Sequence, residues 1–160
     1  MYIFLNKTLV PEQEAVVSVY DHGFLYGDGI YETMRAYDGV VFMLEKHLER
    51  LARSASFTRL ALPETGFIAS AVYGTIEANQ LSDAYIRVTV SRGKGPIGLD
   101  PALCKEPTFV VVAEPFSEYP GHLYREGVKL IIAKTRRNLV EAVNPKIKSL
   151  NFLNNIFAKM

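Results

Sequence analysis

The chain has 160 residues, a formal net charge of +1, 49% apolar and 22% charged residues, which is ordinary for a soluble globular protein. That balance gives no general electrostatic pull toward nucleic acid, and no apolar run approaches the length needed to span a membrane. The single cysteine, Cys104, excludes an internal disulfide and fits a reducing compartment.

The opening "MYIFLNKTLV" lacks the basic segment and long apolar core of a signal peptide, so a cytoplasmic location is expected. It reads instead as two short strands, Met1–Asn6 and Thr8–Val10, around a turn at Asn6 and Lys7. "DHGFLYGDG" (Asp21–Gly29) carries three glycines and two aspartates and reads as a loop. "IYETMRAY" (Ile30–Tyr37) is a strand. Asp38-Gly39 is a two-residue hairpin turn, and "VVFML" (Val40–Leu44) is its return.

Leu44–Phe57 has Leu44, Leu48, Leu51 and Ala55 on one stripe, which predicts a helix. A second helix is predicted from about Glu64 to Gln80, with Pro63 at its first position and Ile68, Val72, Thr75 and Ile76 inside. Ala84–Arg92, "AYIRVTVSR", alternates: Ile86, Val88 and Val90 point one way, Tyr85, Arg87, Thr89 and Ser91 the other. Gly93–Pro101 is a loop and Thr108–Ala113 another strand. Glu114–Gly121, with two prolines and a glycine, is the best linker candidate. Val128–Thr135 then predicts a strand. Ser149–Met160 predicts a helix with Leu150, Leu153, Ile156, Phe157 and Met160 on one side. There are no internal repeats or low-complexity tracts. The order of elements is that of an α+β fold rather than a regular parallel repeat.

Three features depart from plain packing. The polar face of the 84–92 strand carries Tyr85 and Arg87, and arginine matches a carboxylate or phosphate bidentately; polar residues on such a face also arise simply from meeting water. Arg50 lies off the apolar stripe of its helix, on a flank with His47 and Ser54, where an arginine is ordinarily solvated. Lys148 stands where the last helix is predicted to begin, poorly placed for the helix dipole. A buried lysine amine can instead act as a nucleophile. Lys146 lies two residues earlier on the same side of an extended segment, and spacing alone does not choose between them.

Four segments, taken together, resemble a known family. They are "SVYDHGFLYGDGIYETMRAYDG" (Ser18–Gly39), "FMLEKHLERLARSA" (Phe42–Ala55), "YIRVTVSRGKGPIGLDP" (Tyr85–Pro101) and "TRRNLVEAVNPKIKSLNFLNNIFAK" (Thr135–Lys159). The family is the pyridoxal-phosphate enzymes of fold type IV, comprising branched-chain aminotransferases, D-amino-acid aminotransferases and aminodeoxychorismate lyases. The resemblance implies a small α+β domain over residues 1–115, an interdomain linker over 116–121, and the start of a larger cofactor-binding domain over 122–160.

It also implies roles. Lys148, in "IKSLN", is similar to the lysine that carries pyridoxal 5'-phosphate and moves the proton, which selects it over Lys146. Arg50, in "HLERL", is similar to the arginine that binds the cofactor phosphate. Tyr31, Tyr85 and Arg87 resemble substrate-pocket residues, some of which this family lends across a dimer interface. No metal ligand is expected. The reaction implied is ping-pong transamination of a branched-chain L-amino acid with 2-oxoglutarate. D-amino-acid transamination and the lyase reaction are the alternatives within the fold, and a non-catalytic module keeping the fold is the alternative outside it. The expected partners are amino and keto acids and a second copy in a homodimer or higher homo-oligomer, with neither nucleic acid nor membrane. Because the family's second domain continues well past the equivalent of Met160, residues 1–160 are expected to be an inactive part of a longer polypeptide.

Overall fold

The structure is a computed structural model and describes residues 1–160. Strands β1 (Tyr2–Leu5) and β2 (Thr8–Pro11) form the first hairpin, as expected. The glycine-rich stretch that follows is not simply a loop, because it contains the short helix α1 (His22–Tyr26). Asp21 caps that helix, accepting a hydrogen bond from the Gly23 amide at 2.7 Å, and Gly27 closes it.

Strands β3 (Gly29–Tyr37) and β4 (Val40–Val41) meet at a turn whose two residues, Asp38 and Gly39, have φ of 47° and 76°. This is the left-handed pair that a two-residue hairpin needs. The return strand is shorter than expected. It stops at Val41, since Met43 turns left-handed (φ 52°) and Leu44 opens helix α2 (Leu44–Thr58). Helix α3 (Thr65–Ala78) starts after Glu64, so Pro63 stands outside it rather than at its first position. Strands β5 (Ala84–Ser91) and β6 (Thr108–Pro115) complete the sheet.

The six strands run in the order β2-β1-β6-β5-β3-β4, with every neighbouring pair antiparallel. Helices α2 and α3 cover one face. The core joins Ile30, Met34, Val88 and Val111 of the sheet to Leu51 of α2 and Val72 of α3. Helices segregated on one side of an antiparallel sheet make this a mixed α/β protein of the α+β type. The opposite face carries the other half of the alternation, with Thr33 beside Arg87, Tyr31 beside Thr89 and Arg35 beside Tyr85.

After β6 come the short helices α4 (Gly121–Glu126) and α5 (Leu153–Lys159). The strand predicted over Val128–Thr135 does not form. Leu130, Ile131 and Ile132 are 86, 90 and 99% exposed, and no strand of this chain offers them a ladder of hydrogen bonds. Helix α5 begins at Leu153 rather than Ser149, and its apolar residues Leu153, Ile156 and Phe157 are exposed.

Candidate active site

Strand β4 covers only the Ala36–Tyr37 end of the β3 edge. The other end is met by the segment around Lys148. The Tyr31 amide donates to the Lys148 carbonyl at 2.9 Å, the Leu150 amide donates to the Gly29 carbonyl at 2.9 Å, and Ser149 lies opposite Ile30. Two further bonds fix this segment. The Lys148 amide donates to Ser54 Oγ at 3.2 Å, and Asn151 Nδ2 donates to the Gly27 carbonyl at 2.9 Å.

A pocket of about 320 Å³ results, lined by Tyr31, Arg50, Arg137, Lys146, Lys148 and Asn151 among others. Lys148 Nζ stands 4.0 Å from the centre of the Tyr31 ring, and the Arg87 guanidinium stands 4.1 Å from the same ring. Phe152 flanks Tyr31 at 5.1 Å between centroids. Neither Lys148 nor Arg87 is in an ion pair with a carboxylate.

Arg50 is not the solvated arginine that its helix position suggests. Its Nε and Nη2 donate to the two oxygens of Glu32, each at 2.6 Å. The Glu32 side chain is fully buried, and His47 Nδ1 lies 3.0 Å from its Oε2. The hydrogen bond to Glu32 raises the Arg50 pKa above its ordinary value, outweighing the opposing effect of burial.

The structure thus brings Tyr31, Arg50 and Lys148 into one pocket; Arg87 does not line it and is connected to it only through its contact with the Tyr31 ring. Tyr85 does not line it; it is 40% exposed, further along β5 beside Arg35. Glu32, Asn151 and Arg137 are site residues that the sequence did not single out, and Ser54 is legible there only as a neighbour of Arg50 on its helix flank. Glu32 carried a legible signal, being a charged residue between Ile30 and Met34 on the apolar side of β3. A larger cleft of about 1540 Å³ lies by the β1–β2 turn and the start of α3, and it contains none of the expected site residues.

An amine without a counter-ion thus shares a pocket with a guanidinium at the edge of a helix-backed antiparallel sheet, a pair whose chemistry suits an anionic, amine-reactive ligand. The family described as amino-transferase class IV matches residues 29–160, and the chain belongs to that family. A provisionally named branched-chain-amino-acid aminotransferase of Methanocaldococcus jannaschii is 47% identical over all of this chain and 55% of its own length. An aminodeoxychorismate lyase of Bacillus subtilis is 32% identical over 98% of this chain and 53% of its own. A D-alanine aminotransferase of Staphylococcus haemolyticus is 33% identical over 98% and 55%. Among solved structures, a T.th. branched-chain amino acid aminotransferase with pyridoxamine 5'-phosphate superposes with a TM-score of 0.93 at 28% identity, over 99% of this chain and 54% of that one. The chain spans about half the length of these three curated relatives.

Proposed function

We propose that the polypeptide containing these residues is a pyridoxal-phosphate-dependent aminotransferase that moves the amino group of a branched-chain L-amino acid to 2-oxoglutarate. The observation that carries this reading is the unpaired Lys148 amine sharing a pocket with Arg50. The names of the Methanocaldococcus jannaschii relative and the T.th. structure support the branched-chain assignment.

The residues fit the cofactor's chemistry. Arg50 turns its Nε and Nη2 side to Glu32, with Nη2 also 3.3 Å from His47 Nδ1, and leaves Nη1 without a partner to donate to phosphate oxygens. Lys148 supplies the amine that carries the cofactor. When bound, pyridoxal phosphate provides an aldehyde for an amine and a ring that takes up an electron pair. Lys148 Nζ then holds or moves the proton at the substrate Cα. The Tyr31 ring contacts both Lys148 and Arg87. Arg87, on the open face of the sheet, meets the substrate carboxylate, with Tyr85 further out on the same strand.

In the same proposal residues 1–115 form a small domain, 116–121 a linker and 122–160 the beginning of the cofactor domain. The whole polypeptide assembles as a homodimer or higher homo-oligomer in the cytoplasm.

The test is borohydride reduction of the full polypeptide with pyridoxal phosphate, followed by peptide mapping. Label on Lys148 is expected. Label on Lys146 or Lys134, or on no lysine, overturns the assignment, and a protein that never turns yellow supports a non-catalytic module instead. A panel of L- and D-amino acids with keto acids, read alongside lyase activity, separates the branched-chain reading from the two relatives' activities.

A further inference from the structure

We infer that Glu32 is a positioning residue that presents Arg50 to the cofactor phosphate, an inference that rests on the reading of Arg50 given above. Glu32 sits on the helix-covered side of β3, between the buried Ile30 and Met34, and its side chain has no exposure to solvent. An apolar residue would fill that place without the cost of desolvating a carboxylate, so packing alone does not explain an acid there.

What the acid does is visible in its partners. A guanidinium has two edges that can take a bidentate anion. Glu32 takes the Nε–Nη2 edge, with both contacts at 2.6 Å. Nη2 has a further contact of 3.3 Å with His47 Nδ1, and Nη1 makes no hydrogen bond, so the Nη1 side of the guanidinium is the one left over, and Arg50 lines the same pocket as Lys148. His47, one turn earlier on α2, contacts Glu32 Oε2 at 3.0 Å and fixes the carboxylate from the same side.

The consequence is preorganisation. The Arg50 side chain is 44% exposed, and unheld it would sample many rotamers before meeting an anion. Clamped from behind, it loses little further entropy on binding. Glu32 also places a negative charge behind the guanidinium, which opposes phosphate binding. That charge sits on the edge adjoining the free Nη1, whereas the loss of orientation acts on the phosphate contact itself; orientation is inferred to dominate, and the Glu32→Gln titration weighs the two.

The test is an equilibrium titration of the full polypeptide with pyridoxal phosphate and, separately, with pyridoxal, which lacks the phosphate. The variants are Glu32→Gln, Glu32→Asp, Arg50→Ala and Arg50→Ala with Glu32→Gln, each checked for folding by circular dichroism. Glu32→Gln is expected to weaken pyridoxal phosphate binding about tenfold, by analogy with the lower end of what losing the partner that orients a metal ligand costs a metal site. Pyridoxal binding stays unchanged. Glu32→Asp keeps the charge but withdraws the clamp by one methylene, and is expected to show the same phosphate-specific loss. In the Arg50→Ala background, Glu32→Gln adds nothing further. If Arg50→Ala weakens the phosphate ligand while both Glu32 variants bind it as well as wild type or better, Glu32 is only a counter-charge and the inference is overturned. Equal losses for pyridoxal and its phosphate overturn it as well. If Arg50→Ala itself has no phosphate-specific effect, the reading of Arg50 fails and takes this inference with it.

Discussion

Arg50→Ala tests the buried ion pair through stability rather than binding. The substitution removes both 2.6 Å contacts to a carboxylate with no solvent access and leaves His47, 3.0 Å away, as the remaining partner. Removing one member of a buried pair costs about 3–5 kcal/mol, because the charge left behind is uncompensated. Arg50 is itself 44% exposed, so water enters where it stood and part of the loss is recovered. An expected cost of about 2–3 kcal/mol follows, roughly a 30- to 140-fold shift in the unfolding equilibrium. Arg53, on the same helix, exposed and in no ion pair, is the control, and Arg53→Ala should change stability by no more than about 0.5 kcal/mol. Urea unfolding followed by circular dichroism provides the comparison. Adding Glu32→Leu to Arg50→Ala should restore most of the loss, since removing both charges leaves nothing unpaired. The Arg50 pKa is raised in the folded protein. Its contribution is therefore complete below the guanidinium's ordinary pKa and is lost only as pH climbs through the raised value, so it does not vary between about pH 6 and 9. An Arg50→Ala protein as stable as the Arg53→Ala control would refute the reasoning.

Three further outcomes are expected. Arg87→Ala should raise the amino-acid KM, or lower kcat/KM, while leaving the visible absorption of the cofactor-loaded enzyme intact; loss of that absorption in a folded variant would assign Arg87 to the cofactor. Gly93→Ala should destabilise by more than about 2 kcal/mol in thermal unfolding, because Gly93 has φ +94° and a Cβ there would stand 1.8 Å from the Glu106 carbonyl oxygen. Cys104 should be alkylated by iodoacetamide more slowly at neutral pH than a free thiol. Burial and the nearby Asp21 and Asp28 push its pKa up, so its reactivity rises only above the usual cysteine range, and a rate matching free cysteine would contradict this.

Local chemistry made much of the fold legible. The Asp38-Gly39 turn, the alternation of β5 and the apolar stripes of α2 and α3 need only neighbours in sequence to be read. Helix α1 was hidden because its glycines look like loop residues, although Asp21 before it and Gly27 after it are a cap and a stop at the right interval. The Val128–Thr135 run has strand composition, but a strand is made by its partner, and this chain supplies none. At the candidate site, His47, Arg50 and Ser54 share one helix flank, and that flank was visible. Its destination was not, since nothing local says that Glu32 and the Lys148 backbone lie across from it.

The segment carrying Lys148 is joined to β3 across 117 residues of chain, from Tyr31 to Lys148. Closing so long a loop costs entropy that the local hairpins and helices do not face, so this junction belongs late in the order of assembly. It also rests on few bonds, so it opens more readily than the sheet behind it. In native-state hydrogen exchange the amides of Tyr31 and Leu150 should therefore lose protection before those between β5 and β6. The Lys148 segment can then part from β3 while the six strands stay paired, so this junction comes apart by a local opening rather than by global unfolding.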